Sequence, residues 1–246
     1  MRIAILIPGQ ARFFKHNAII DLKNKYDADV FIHTWNEVPY YKSVYSKVEF
    51  SVSETDVKEY VTKYNPKKYL IEENITDEFI DTRLIKREIK ERTSNVITKY
   101  NMYRYFYSLN KCWELIGEQR DEYDFLIIVR SDMDIILLPG LDTLDNNTIY
   151  APIHNRDNRN GDNNHCYTDL FLFVIPPKYM YTYIRIIDNM DRLYDMGYHY
   201  NYDEMFYAWL KESKLYENTK QLKIGKEIFF TLRRDDIGLK PKHYLN

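Results

Sequence analysis

The chain has 246 residues and a formal net charge of −2, so it is long enough to bury a sizeable core and lacks the overall basic excess of nucleic-acid-binding domains. Its two cysteines, Cys112 and Cys166, do not form a disulfide framework pattern and fit a reducing compartment. No apolar run approaches the roughly 20 residues of a membrane helix, and no signal-peptide pattern precedes the first predicted strand. We therefore expect a cytoplasmic protein without a transmembrane segment or a nucleic-acid partner.

The beginning of the chain has the pattern of a strand, a helix and a second strand. Residues 3–7 are a continuous apolar run that stops at Pro8, which predicts a buried strand followed by a turn. Large or apolar side chains then recur every four residues, as in a helix, at Phe14, Ala18, Leu22 and Tyr26. The apolar stretch 28–35 predicts the next strand. This order predicts two parallel strands joined by a helical crossover.

The middle of the chain continues the alternation. Residues 36–66 are polar and tyrosine-rich and show no clear period, whereas residues 67–73 have the pattern of a third strand. A charged, exposed helix is predicted over 76–92, and a strongly amphipathic helix over 95–117. A strand is predicted over 124–130, because residues 125–129 are a second continuous apolar run, which is typical of a strand buried on both faces.

The last third of the chain alternates in the same way. Residues 148–152 predict a short strand, and the almost entirely polar stretch 154–165 predicts a loop. A strand over 169–177 ends in two prolines, the second of which can open a helix. A short helix is predicted over 201–210 and a late strand over 226–232. Because no linker or repeat divides the chain, we predict a single α/β domain with a mostly parallel central sheet flanked by helices.

Two carboxylates follow the second apolar strand. Asp132 and Asp134 stand one residue apart, just after that strand ends at Arg130. Open α/β sheets bind ligands outside the carboxyl ends of their strands, and carboxylate oxygens favour Mg²⁺ or Mn²⁺. Such an ion can neutralise a diphosphate leaving group, and Arg130 adds a positive fork suited to phosphate. The alternative is a turn with solvated aspartates, because a bare D-x-D pattern is common by chance.

The ends of the first two strands supply further candidates for nucleotide binding. The turn after the first strand contains Pro8, Gly9, Gln10 and Arg12. Its backbone N–H groups and a following helix N-terminus can receive a phosphate, and Gly9 lets the backbone approach a ligand; the alternative is a plain strand-to-helix turn. Thr34 and Trp35 end the next strand. Trp35 can stack on a base or cap the core, whereas His33 is interpreted as a hydrogen-bonded core histidine.

Three ordered segments carry a family resemblance: "RIAILIPGQARFF", "DVFIHTW" and "YDFLIIVRSDMDI". Together they resemble GT-A-type glycosyltransferases of bacterial polysaccharide clusters and large DNA viruses, and "TDLFLFVIPPKYM" and "NYDEMFYAWL" are similar to that family's second half. The resemblance covers residues 1–210 and lies in the ordered set rather than in any single motif. It implies a single GT-A-like, Rossmann-related domain over 1–246, with a nucleotide-binding half at about 1–134 and an acceptor-binding half at about 135–246.

The same resemblance implies the ligands and further site residues. It implies a UDP- or GDP-linked sugar donor, a bound Mn²⁺ or Mg²⁺, and a glycan acceptor. The helix over 95–117 contributes to donor binding in this family, so Tyr103 and Arg104, on its predicted non-core face with Lys99 and Ser108, become candidates. A solvated position is the alternative for Arg104. His243, in a basic C-terminal tail, is a further candidate for the metal or the phosphate.

Acidic residues of the second half are candidates for the acceptor side. Asp169 precedes a predicted strand, and Asp203 and Glu204 begin a short helix. An inverting transferase needs a general base near the acceptor hydroxyl, whereas a retaining one has no separate base there. Asp203 can instead be a helix-start residue stabilised by the helix dipole. The sequence leaves the stereochemical outcome open.

The leading hypothesis is a metal-dependent glycosyltransferase that moves a sugar from a nucleotide-diphosphate sugar to a glycan hydroxyl. One alternative is a Mg²⁺-dependent nucleotidyltransferase or phosphohydrolase that uses the same carboxylates. The other is a carbohydrate-binding module without activity, for which the 24 tyrosines are the argument. The chain has neither a lysine-bearing P-loop nor a G-x-G-x-x-G fingerprint, which disfavours P-loop enzymes and ordinary dinucleotide dehydrogenases. The donor sugar, its base, the acceptor and the oligomeric state stay open.

Overall fold

The computed structural model of the protein describes residues 1–11, 17–42, 49–84, 93–131, 140–151, 153–155, 166–168, 172–198, 200 and 202–221. The strands in these ranges are β1 Ile3–Pro8, β2 Asp29–Trp35, β3 Val38–Lys42, β4 Glu49–Val52, β5 Lys68–Glu72, β6 Phe125–Val129, β7 Ile149–Ala151, β8 Ile153–Asn155, β9 Cys166–Thr168, β10 Leu172–Ile175 and β11 Thr219–Gln221. The helices are α1 Ala18–Tyr26, α2 Glu54–Tyr64, α3 Asp77–Arg83, α4 Thr93–Ile116, α5 Pro177–Ile184, α6 Ile186–Asp195 and α7 Tyr202–Glu212.

A seven-stranded sheet forms the centre of the fold, with the strands in the order β11-β7-β10-β6-β1-β2-β5. Neighbouring strands are parallel except where β10 pairs with β6 and with β7. Among the described strands of this sheet, β10 therefore runs against the other six. Two antiparallel hairpins, β3–β4 and β8–β9, form separate two-stranded sheets.

The side chains of the sheet enter two hydrophobic clusters, one on each face. On one face Leu6 and Phe31 pack with residues of α4, α5, α6 and α7. On the other face Ile5 and Ile32 pack with residues of α1 and α2. Because successive residues of a strand point to opposite faces, a strand covered on both sides must be apolar throughout. This explains the uninterrupted apolar runs that become β1 and β6.

The long helix α4 is the main support of the sheet on its own face. It packs against β1, β2 and β5 on one side and against α3, α5 and α6 on the other. Met102, Phe106 and Leu109 are fully buried in this layer, and complete burial of a side chain of this size stabilises the fold by roughly 1.5–3 kcal/mol. The helix predicted over 95–117 is therefore confirmed, with an observed start two residues earlier.

Local signals define helices in places where periodicity was weak. Ser53 and Asp56 form a capping box at the start of α2, in which each side chain accepts a hydrogen bond from the other residue's N–H. The helix predicted after the two prolines does begin at Pro177, but it is divided into α5 and α6 at Arg185. The stretch 36–66, which lacked a period, contains β3, β4 and α2.

The predicted fold class, α/β with a mostly parallel sheet flanked by helices, is confirmed. The polar stretch 154–165 was predicted as a loop, but its first two residues belong to β8, which pairs with β9. The strand predicted at 226–232 lies outside the described residues, and the division into halves near residue 134 stays a prediction. No helix in the described part of the chain has the length and apolar character needed to cross a membrane.

Candidate functional site

Two neighbouring parallel strands, β1 and β6, end at the same edge of the sheet. From β1 the chain adds β2 and then β5 on one side, and it then places β6 on the other side of β1. In an open α/β sheet such a reversal leaves a crevice outside the carboxyl ends of the two strands, and ligands bind there. Pro8 ends β1 and Val129 ends β6. The segments that follow these two residues therefore form the candidate site.

The two segments are in direct contact. The Ser131 hydroxyl donates a hydrogen bond of 3.0 Å to the carbonyl oxygen of Gln10, across 121 positions of sequence. Ser131 is buried, whereas Gln10 and Arg130 are half-buried. The structure thus brings together the turn after β1 and the segment after β6, in which Ser131 follows Arg130. Asp132 and Asp134 follow Ser131 directly in sequence but lie outside the described residues.

The described residues leave the space beside the Gly9 Cα open, whereas the Gly9 N–H points into the protein. Its φ of +98° lies in the region that favours glycine, and no described atom lies within 4 Å of the position of a Cβ. The N–H donates to Ser108 Oγ at 2.6 Å and to the carbonyl oxygen of His33 at 3.1 Å. Buried acceptors therefore already occupy this N–H, and the binding of a phosphate by the other N–H groups of the turn stays a prediction. Helix α1 begins only at Ala18, and Arg12 lies outside the described residues.

His33 is a fully buried histidine with a partner at each ring nitrogen. Its Nδ1 lies 2.5 Å from Ser108 Oγ, and its Nε2 lies 2.7 Å from a carboxylate oxygen of Glu72. Burial lowers the pKa of His33 more than the hydrogen bond with Glu72 raises it, so the imidazole is neutral at neutral pH. The interpretation of His33 as a hydrogen-bonded core residue is confirmed.

The two candidates at the end of β2 are buried on opposite faces. Trp35 is 1% exposed, stacks on Tyr107 with ring centroids 5.8 Å apart and meets the edge of His33 at 4.8 Å. This supports the alternative in which Trp35 caps the core, since both neighbours cover its ring. Thr34 is fully buried, and its hydroxyl has no hydrogen-bond partner among the described residues.

The candidates on α4 are not on an exposed face, so that part of the prediction was wrong. Tyr103 is 7% exposed and belongs to the core, and burial raises the pKa of its hydroxyl. The Arg104 guanidinium donates to the carbonyl oxygen of Ile75 at 3.0 and 2.8 Å and to a carboxylate oxygen of Asp77 at 2.6 Å. Its half-buried side chain thus fastens α4 to the segment before α3. The reason is that helices cover α4 on the side away from the sheet, which a single apolar stripe does not reveal.

The predicted acceptor-side acids are only partly within the described residues. Glu204 is half-buried on α7, and α7 packs against β9. Asp203 lies on the same helix, and its side chain is outside the described part of the molecule. Asp169 follows β9 directly in sequence and is also outside it. Their roles stay predictions.

The predicted metal site also stays a prediction. In the ranges that the structure describes, no group of three His, Cys, Asp or Glu side chains is placed to hold a metal ion. The predicted ligands Asp132, Asp134 and His243 all lie outside those ranges. Their donor chemistry fits a hard divalent cation, because carboxylate oxygens are the ligands that Mg²⁺ and Mn²⁺ prefer.

Three residues of the site were not among the sequence candidates: Ser108, Glu72 and Ser131. Glu72 ends β5 and pairs in register with Trp35, so its place at the end of a predicted strand was a usable signal. Ser108 lies next to the apolar positions of α4, where a buried hydroxyl needs a hydrogen-bond partner. Ser131 stands between Arg130 and the two aspartates and had no signal of its own.

No protein-family model and no curated protein sequence matches the chain. Solved structures that it resembles include the CTP:phosphocholine cytidylyltransferase LicC from Streptococcus pneumoniae, with 11% identity, a TM-score of 0.39 and a match over 91% of each chain. Another is the galactosyltransferase LgtC in complex with donor and acceptor sugar analogs, with 10% identity, a TM-score of 0.35 and a match over 87% of this chain and 65% of that one. At these scores the likenesses carry no argument about activity, so the proposal below rests on the site.

Proposed function

We propose that the chain is a metal-dependent, GT-A-type glycosyltransferase that moves a sugar from a UDP- or GDP-linked donor to a hydroxyl group of a glycan acceptor. The observation that carries the proposal is the contact between Ser131 and Gln10, which joins the ends of β6 and β1 at the point where the strand order reverses. Ligands of open α/β sheets bind at this point. The D-x-D pattern begins at the next residue, Asp132, and the same segments carry the resemblance to GT-A-type enzymes.

In this proposal each candidate residue on the donor side has a defined role. Asp132 and Asp134 are the proposed ligands of Mn²⁺ or Mg²⁺, with His243 as a third. When bound, the ion supplies positive charge that offsets the charge developing on the diphosphate leaving group. Arg130 adds a guanidinium fork that suits phosphate oxygens. Gly9 has no described atom within 4 Å of a Cβ position, so in this proposal the donor approaches its backbone closely.

The acceptor side is assigned to the acids that precede β10 and begin α7. Leu172, the first residue of β10, pairs with Val129 at the end of β6, so β10 enters the sheet at the edge where the crevice lies. Asp169 precedes Leu172 by three residues. In this proposal one of Asp169, Asp203 and Glu204 contacts the acceptor hydroxyl, and an inverting reaction would use it as the general base.

The decisive experiment measures release of the nucleoside diphosphate from a panel of UDP-, GDP- and TDP-sugars in the presence of Mn²⁺. We expect turnover with one donor class, loss of turnover in EDTA and recovery when Mn²⁺ is restored. Asp132→Ala or Asp134→Ala should lower turnover by about 100-fold or more, since each removes charge stabilisation at the leaving group. Asp142→Ala, which changes an exposed carboxylate near the same segment, is the matched control. Full activity of either site variant, in a folded protein, would contradict the assignment.

Assays with a nucleoside triphosphate and a measurement of Tm, run beside this experiment, separate the other possible functions. A nucleotidyltransferase would consume a nucleoside triphosphate and release pyrophosphate, and a phosphohydrolase would release phosphate without an acceptor. A carbohydrate-binding module would show no turnover, and UDP or GDP with Mn²⁺ would not raise its Tm, because a ligand stabilises only a protein that binds it.

A further inference from the structure

A continuous chain of hydrogen bonds runs from the edge of the sheet to the turn after β1. Glu72, at the end of β5, meets Nε2 of His33 at 2.7 Å. Nδ1 of the same ring meets Ser108 Oγ at 2.5 Å, and that oxygen accepts the Gly9 N–H at 2.6 Å. Four residues, on two strands, one helix and the turn after β1, are thereby connected. They are separated by up to 99 positions in sequence.

The donors and acceptors in this chain have one consistent assignment at neutral pH. The Glu72 carboxylate can only accept, so the imidazole Nε2–H of His33 donates to it, and Nδ1 is left with its lone pair. The Ser108 hydroxyl donates to Nδ1, and its oxygen accepts from Gly9. Each polar atom that takes part then acts in a role it can fill, which is the condition for burying such a network without loss of stability.

The hydrogen-bond network from Glu72 to Gly9 is partly exposed at one end and buried in its middle. Ser108 and His33 are 0% exposed, whereas the Glu72 side chain is 31% exposed. Lys111 and Tyr107 of α4 lie near the Glu72 end of this network. The network thus begins at the partly exposed edge of the sheet and ends at the backbone of Gly9, where no atom of the described residues lies within 4 Å of a Cβ position.

We infer that Ser108, His33 and Glu72 are positioning residues for the donor: they hold the Gly9 turn with its N–H inward, so that the bare Cα side of Gly9 faces the nucleotide. The inference rests on the proposed function, because it takes the crevice between β1 and β6 as the nucleotide site. None of the three residues needs to touch the donor. Their effect is transmitted through the backbone of Gly9. Among the described residues, the only acceptors of the Gly9 N–H are Ser108 Oγ and the carbonyl oxygen of His33.

The test measures the Kd of UDP and of GDP in the presence of Mn²⁺ by titration calorimetry. Loss of one hydrogen bond of this kind corresponds to roughly a tenfold change in Kd. Ser108→Ala should therefore raise the Kd of the preferred nucleotide about tenfold. Ser213→Ala is the matched control, since Ser213 Oγ donates to Trp209 at the end of α7, and it should leave Kd unchanged. In turnover, Ser108→Ala should raise the donor KM with little change in kcat, as expected when ground state and transition state lose the same contact.

Two further variants keep the inference testable if Ser108→Ala does not fold. Glu72→Ala removes the partly exposed end of the hydrogen-bond network and should weaken nucleotide binding. Glu72→Gln keeps an acceptor for the His33 N–H and should retain most of the affinity. In a double-mutant cycle with Gly9→Ala, the effect of Ser108→Ala should shrink, because both changes act on one turn. Wild-type affinity in Ser108→Ala and Glu72→Ala would overturn the inference and leave the proposed function standing. A wild-type protein that binds neither nucleotide would overturn both.

Discussion

Gly9 and Gly197 form a matched pair that separates backbone strain from ligand contact. Both have φ of +98°, and neither has a described atom within 4 Å of a Cβ position. A Cβ at such a φ costs about 1–2 kcal/mol, and with no clash to add, Gly9→Ala and Gly197→Ala should lose the same free energy of unfolding. For a chain of this size that loss lowers Tm by about 2–8 °C. Gly197 lies beyond the end of α6, not at a strand end.

The two substitutions should differ in nucleotide binding. The methyl group of Gly9→Ala enters the space that the donor is proposed to occupy, so the Kd for UDP or GDP with Mn²⁺ should rise about tenfold or more, the equivalent of about 1.4 kcal/mol. Gly197→Ala should bind like the wild type. Thermal unfolding gives the stability change and calorimetry gives Kd on the same samples. Equal nucleotide affinity in the two variants, at equal loss of Tm, would refute the placement of the donor at Gly9.

Two other predictions concern residues away from the reacting groups. Arg104→Met removes the hydrogen bonds to Ile75 and Asp77. It should lower the free energy of unfolding, measured in urea, by about 1–3 kcal/mol and leave the nucleotide Kd unchanged. A higher Kd would instead indicate that Arg104 contacts the donor. Partial burial raises the pKa of Asp29, but hydrogen bonds such as that from Lys67 outweigh it and hold the pKa below its usual value. The resulting stability is present above about pH 4 and is lost as the pH falls through the folded pKa. Asp29→Asn should flatten that acid limb of the unfolding free energy, and an unchanged slope would contradict the assignment.

The sequence alone was sufficient for the strands at the centre of the sheet. β1 and β6 are buried on both faces, and such strands have uninterrupted apolar runs that need no knowledge of their neighbours. The ends of these runs also marked Pro8 and Arg130 as positions where the chain leaves the sheet. The sequence also contains the capping box of α2, in Ser53 and Asp56. The surrounding polar stretch has no clear period, so periodicity did not predict this helix.

The faces of α4 show where sequence patterns stop being informative. Tyr103 and Ser108 lie away from the strongest apolar stripe of the helix, which is why an exposed position was expected for both. Tyr103 is buried in the layer of helices around α4, whereas Ser108 is buried against the strand ends, where its hydroxyl contacts His33 and Gly9. A period reports which residues share one face of a helix, but it does not report whether a second layer packs on the opposite face. Arg104 was misplaced for the same reason.

What the sequence determined by itself was the set of buried strands and the polar residues that stand at their ends, because both follow from the apolar character of neighbouring positions. Only the tertiary structure decided that β6 lies beside β1, that Ser131 reaches Gln10, and that the Gly9 N–H is bonded to Ser108 rather than free for a phosphate. These partners are about 100 positions or more apart along the chain. Their contacts depend on the packing of whole strands and helices, and it is that packing which turns separate strand ends into one site.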